Sequence, residues 1–181
     1  MSLHEESIKK LYANLNLKSH VLAVILKAHE KVLEYGLSEG KEMAIAIDTI
    51  TGEVVAKKKS KSSDSVKLDF PPNYKRNKGL VLVHNHPKNS PFSYEDLFSF
   101  GKIKFVKSSS VQCHSGVAYN ISKGNRNIAI YEETELKLLF VNITRGAKYK
   151  NLSFIERVEE FNKIIANKMG WSFEKGGGVN G

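Results

Sequence analysis

The stretch that most constrains this chain is Leu80-Val81-Leu82-Val83-His84-Asn85-His86-Pro87, followed by Ser93-Tyr94-Glu95-Asp96. An unbroken apolar run beside a turn-rich flank reads as a buried strand that ends by delivering His84 and His86. Residues two apart on a strand point to the same face, so both imidazoles can reach one ion. Ser93 then reads as the N-cap of a helix from Tyr94 to Gly101, and a first-turn carboxylate at Asp96 can swing toward the strand end. Two imidazoles and one carboxylate leave the fourth tetrahedral position of Zn2+ open to water, which separates a catalytic site from a closed structural one. Pro87 and Pro91 stiffen the loop between strand and helix.

Each piece has a plainer reading. Ser93-x-x-Asp96 is also an ordinary capping box, in which serine and an acidic residue satisfy orphan amides at a helix start. A His-x-His pair alone also caps strands and packs at surfaces. The weight lies in their combination, with strand, loop and helix in the order that a metal site needs.

His84-x-His86-Pro87 followed by Ser93-x-x-Asp96, with an apolar strand before and a helix after, resembles the JAMM (MPN+) metalloproteases. The Asn-His-Pro wording is similar to their bacterial and phage RadC-type branch. The resemblance implies that His84, His86 and Asp96 bind zinc and that Ser93 helps to hold the tetrahedral intermediate. It also implies a general acid/base glutamate from an early strand, which falls on Glu42, with Glu39 as the nearest rival. The loop Pro87 to Phe92 is one residue shorter than the family's usual spacing, but Ser-x-x-Asp keeps its internal register. The fold implied is α/β or α+β, a mixed sheet flanked by helices in the layered JAMM/cytidine-deaminase-like architecture. The activity implied is hydrolysis of a peptide or isopeptide bond by metal-activated water. The alternative is a RadC-type or phage-associated module that keeps the metal site but binds nucleic acid or serves assembly.

The 181 residues, 41% hydrophobic and 26% charged, suffice for one globular domain with its own core. Residues 1–18 read as an N-terminal extension and 19–170 as the domain, with a motif-bearing core over about 19–131 and C-terminal helices over 132–170. Residues 171–181 read as a flexible tail. No apolar run approaches the roughly 18 residues of a membrane span, and the start lacks a signal-like apolar region. Cys113 is the only cysteine, which excludes a Cys-x-x-Cys zinc site and fits a reducing, cytoplasmic setting. The net charge of +9 concentrates between Lys57 and Lys78 and again at Arg145, Lys148 and Lys150. Such fields favour nucleic acid or an acidic protein surface, although neither cluster carries the interleaved aromatics of a base-stacking platform.

Around the motif, helical spacing runs from Val21 to Tyr35, with Ser19 as N-cap and Gly36 as the stop. His20 and His29, on or beside that helix, are not read as ligands. Glu42 to Asp48 and Glu53 to Lys57 form a hairpin about Thr51-Gly52, which places Glu42 at the strand's mouth. Val66 to Phe70 reads as a short strand. Ile103 to Lys107 and Val111 to Ile121 read as two more, joined at Ser108 to Ser110. Asn127 to Tyr131 fits either a strand end or a loop. Glu132 to Ile143 and Phe154 to Met169 are helices with apolar stripes for the sheet.

Overall fold

The run Leu80–His86 is the inner strand on which the sheet is built. In the computed structural model, which describes residues 3–61, 66–70, 79–124 and 132–177, the chain starts with α1 (Leu3–Lys10) and α2 (Ser19–Glu39). Then come β1 (Met43–Asp48), β2 (Val54–Lys59), β3 (Leu80–His86), α3 (Tyr94–Lys102), β4 (Val106–Cys113) and β5 (Val117–Ser122). The chain closes with α4 (Glu132–Arg145), α5 (Phe154–Met169) and β6 (Ser172–Gly177). Among the described residues the strands form one mixed sheet in the order β2-β1-β3-β4-β5-β6. Only β3 and β4 pair in parallel, joined by the crossover through α3. Among the described residues no helix is long and apolar enough to cross a membrane.

Period-two alternation divides the core between the two faces of the sheet. Ile45, Ile47, Val81 and Val83 pack against Ile8 and Leu11 of the N-terminal segment and Val21, Ile25 and Val32 of α2. On the other face Ala46, Val111, Tyr119 and Ile121 meet Leu97 and Phe100 of α3, Leu136 and Ile143 of α4, and Phe161 and Ile165 of α5. The central strands are therefore covered on both sides, which is why β1 and β3 read as continuous apolar runs.

Several boundaries differ from the sequence reading. Helix α2 runs past Gly36 to a left-handed cap at Gly40 (φ 62°), and Lys18 rather than Ser19 precedes its first turn. Gly36 is instead a point of close packing, where a Cβ would strike the Asn85 amide and the His114 ring. Val66–Phe70 joins no ladder, although Val66, Leu68 and Phe70 turn inward while Lys67 and Asp69 are exposed. The serines 108–110 lie within β4, and the turn falls at His114–Gly116, where Gly116 has φ 84°. Ser108 and Ser110 resemble turn residues in sequence because they are small and polar. In the sheet they hydrogen-bond the buried Asn120 amide at 2.7 and 2.8 Å.

The described parts of both expected appendages pack into the fold. In the 1–18 segment Ile8, Leu11 and Tyr12 are buried in the core, and Tyr12 Oη lies 2.6 Å from Ser110 Oγ. Of the expected tail over 171–181, Ser172–Gly177 forms the edge strand beside β5. Trp171 packs edge-on against Phe100, and Phe173 stacks on Tyr119 at 5.9 Å. Residues 125–131, with the expected Asn127–Tyr131 element, and much of the basic 57–78 stretch lie outside the described residues.

Candidate metal centre

Strand β3 ends with alternate side chains on the face toward α3, so His84 and His86 stand together, with Nε2 atoms 3.2 Å apart. Ser93 caps α3: its Oγ accepts from Asp96 N at 3.2 Å and donates to Asp96 Oδ2 at 2.8 Å, while Ser93 N donates to the same oxygen at 2.8 Å. The capping box and the ligand reading are therefore one structure. Fixing one carboxylate oxygen at the helix start turns the carboxylate toward the histidines, with Asp96 Oδ1 3.8 Å from His84 Nε2 and Oδ2 3.4 Å from His86 Nε2. One ligand atom from each of the three residues lies within 4.8 Å of the others.

The donor chemistry fits a metal. His86 Nδ1 lies 2.9 Å from the Ser90 carbonyl, which can only accept, so Nδ1 carries a proton and Nε2 is the nitrogen that faces the Asp96 carboxylate. An imidazole nitrogen and a carboxylate oxygen 3.4 Å apart are spaced to share a positive charge, whether a proton or a metal ion. A tetrahedral zinc with bonds of about 2.0–2.2 Å separates its ligand atoms by roughly 3.4 Å, close to the spacing here. The orienting carbonyl behind His86 is the partner that metal-bound imidazoles use to fix their tautomer. Burial holds the pKa of His84 down to about 4 against the charge of Asp96, so this ring is neutral and able to ligate near pH 7. At Asp96 burial acts to raise the pKa, but His86, His84 and the two Ser93 hydrogen bonds outweigh it and hold the carboxyl below its ordinary value.

Glu42 immediately precedes β1 and is 6% exposed, with Oε1 4.0 Å from His86 Nε2. It stands at the strand's mouth, on the rim of the histidine pair. Glu39, its rival, ends α2 and is exposed, outside the residues lining the cleft. The cleft occupies about 560 Å³ in front of these groups, and Glu42, His84, His86, Ser93 and Asp96 all line it.

No protein-family model, curated protein or solved structure matches this chain. The reading of the centre therefore rests on its geometry.

Two asparagines missed by the sequence reading hold the centre in place. Asn85, between the histidines, faces the other way and is fully buried. Its Oδ1 accepts from Met43 N at 2.7 Å and its Nδ2 donates to Lys41 O at 3.0 Å, so one amide brackets the backbone of Glu42. The period-two rule that joins His84 to His86 is the one signal that sets Asn85 on the opposite face. Asn162 of α5, also fully buried, donates to the carbonyl of Phe92 at 2.8 Å just before the α3 cap. The Phe92 ring in turn lies 6.0 Å from that of His84. Nothing near Asn162 in sequence announces that role.

Proposed function

We propose that this protein is a zinc-dependent metallopeptidase of the JAMM type, acting in the cytoplasm on a peptide or isopeptide bond. The observation that carries the reading is the convergence of two histidine nitrogens and a carboxylate within 4.8 Å, beside a buried glutamate and at the wall of a cleft. His84, His86 and Asp96 would hold the ion. A bound zinc supplies positive charge that polarises a carbonyl and acidifies water. Glu42 takes the proton from the attacking water and passes it to the leaving amine, a task suited to a carboxylate close to the ligands but outside their set. Ser93 Oγ–H donates to Asp96 in this state; rotated about its Cα–Cβ bond, it can donate to the developing oxyanion instead. Oxyanion donors contribute about 3–4 kcal/mol where they have been removed in other enzymes.

Metal content per chain, for protein purified without added zinc, tests the reading directly. About one zinc per wild-type chain, lost in both His84→Ala and Asp96→Ala while each stays folded, is the expected result. Absence of zinc uptake by folded wild type would refute it.

The second reading is a nucleic-acid-binding or assembly module of RadC or phage type. It draws on the exposed successive lysines Lys57, Lys58 and Lys59 of edge strand β2. Two of them have local partners, Lys58 in an ion pair with Asp69 at 2.6 Å and Lys59 over the Tyr35 ring. Binding that weakens steeply with added salt would favour this module.

A further inference from the structure

The cleft has a second half that the ligands and Glu42 do not use. Leu82 precedes His84 by two residues on the same face of β3, one strand repeat (about 6.6 Å) from the metal ligands. From Leu82 the wall is mostly apolar, with the Ser109 hydroxyl opposite Leu82 on β4 and Ser99 of α3 also lining it. Val66, Leu68, Phe70, Phe100 and Ile103 supply the apolar part of its lining. The irregular segment carrying Leu68 and Phe70 is fastened at two points, by the Lys58–Asp69 ion pair and by the edge-to-face contact of Phe70 with Phe105 at 5.3 Å. These two contacts join the segment to the rest of the fold. Two exposed lysines, Lys67 and Lys88, also line the cavity.

A volume of about 560 Å³ lies within the range of sites that bury a small ligand or a short peptide segment. A charged substituent placed against Leu68, Phe70, Leu82 and Ile103 would lose much of its water, with only the Ser99 and Ser109 hydroxyls nearby to replace it. An aliphatic or aromatic one would gain the full transfer free energy. We infer that the substrate carries a large apolar side chain beside the scissile bond, seated against Leu82, Leu68, Phe70 and Ile103. This deepens the metallopeptidase reading and rests on it.

Hydroxamates test the inference without a known substrate, because their head group chelates zinc and their tail is free to vary. The probes are acetohydroxamate, octanohydroxamate and a hydroxamate of matched length that ends in a carboxylate. Calorimetry on zinc-loaded wild type should give octanohydroxamate at least about 30-fold higher affinity than acetohydroxamate, since each fully buried methylene contributes about 4-fold. The acid-ended probe should lose most of that gain. In Leu82→Asn and in Ile103→Ser the gain should shrink several-fold, with zinc content and acetohydroxamate affinity unchanged. If Leu82→Asn fails to fold, Ile103→Ser, at the end of α3, carries the comparison.

Equal affinity of the alkyl probes, or a gain untouched by the variants, overturns the inference and leaves the metal reading standing. An acid-ended probe that binds more tightly than the alkyl one overturns it in favour of an anionic ligand held by Lys67 and Lys88. Wild type that takes up no zinc and binds neither alkyl probe removes the metal reading, and this inference with it.

Discussion

The two faces of the sheet both bury histidine, and they use it in opposite ways. Toward α1 and α2, both nitrogens of His29 have partners: Nε2 lies 2.8 Å from Tyr12 Oη and Nδ1 lies 2.9 Å from Gln112 Oε1. Tyr12 Oη continues the chain to Ser110 Oγ, and Ser110 to Asn120. Donors and acceptors alternate, and the network closes on itself. Toward α3, His86 has one nitrogen fixed by Ser90 O and turns the other to a carboxylate and a second imidazole. Burial alone therefore says little about a histidine. What sets the second site apart is the convergence of two imidazole nitrogens and a carboxylate at one point, an arrangement that a cation fits.

That contrast can be broken by measurement. The largest effect belongs to the open face: Glu42→Gln should lower peptide hydrolysis by about 10²–10⁴-fold with one zinc per chain retained. Loss of zinc in that variant would make Glu42 a ligand and collapse the distinction between holder and base. On the closed face His29→Ala should do the reverse, keeping zinc while stability to denaturant falls by about 2–4 kcal/mol. It removes a buried ring and leaves Tyr12 and Gln112 short of a partner. If that variant released the metal, the two faces would not be independent.

Acid sharpens the same point. Burial lowers the pKa of His29 from 6.5 to about 4, so between these values the unfolded chain takes up the proton first. Stability present at pH 7 is therefore lost as pH falls from 6.5 toward 4, by about 3 kcal/mol from this residue. In metal-free protein His84 adds a loss of the same sign. Replacing His29 with Gln should flatten the dependence by its own share, read as the denaturation midpoint against pH. An unchanged slope would mean that the ring takes up its proton equally in the folded and unfolded chain.

The smallest effects compare the two capping boxes. Ser153 with Glu156 opens α5 by the same reciprocal bonds as Ser93 with Asp96 opens α3. Ser153→Ala should cost about 1 kcal/mol of stability and leave zinc affinity alone. Ser93→Ala should cost a similar amount and weaken zinc binding as well, because its partner is a ligand. Equal zinc affinities in the two variants would detach the cap from the centre.

Features carried by local signals were legible in the sequence. Leu80–His86 is a strand because the apolar run and the His-x-His spacing both lie within it, and α3 begins at Ser93 because its cap is only three residues long. Both α4 and α5 follow their apolar stripes. Illegible features depended on distant partners. Ser110 is bonded by Tyr12, 98 residues away, so its serine run reads locally as a turn. β6 was mistaken for tail because glycines follow Trp171 and Phe173, whereas the aromatics that bury those two rings, Phe100 and Tyr119, lie far back in the chain. At the centre, the candidate ligands, Glu42 and Ser93 could be named from the motif. The asparagines that fix their backbone could not, since Asn85 reaches across to Lys41 and Asn162 reaches back 70 residues to Phe92.

The cap at Ser93 also bears on time. Asp96 is held by bonds that form as soon as the first turn of α3 does, on the sub-microsecond scale of helix growth. A carboxylate held in this way would meet an arriving ion already oriented toward His84 and His86.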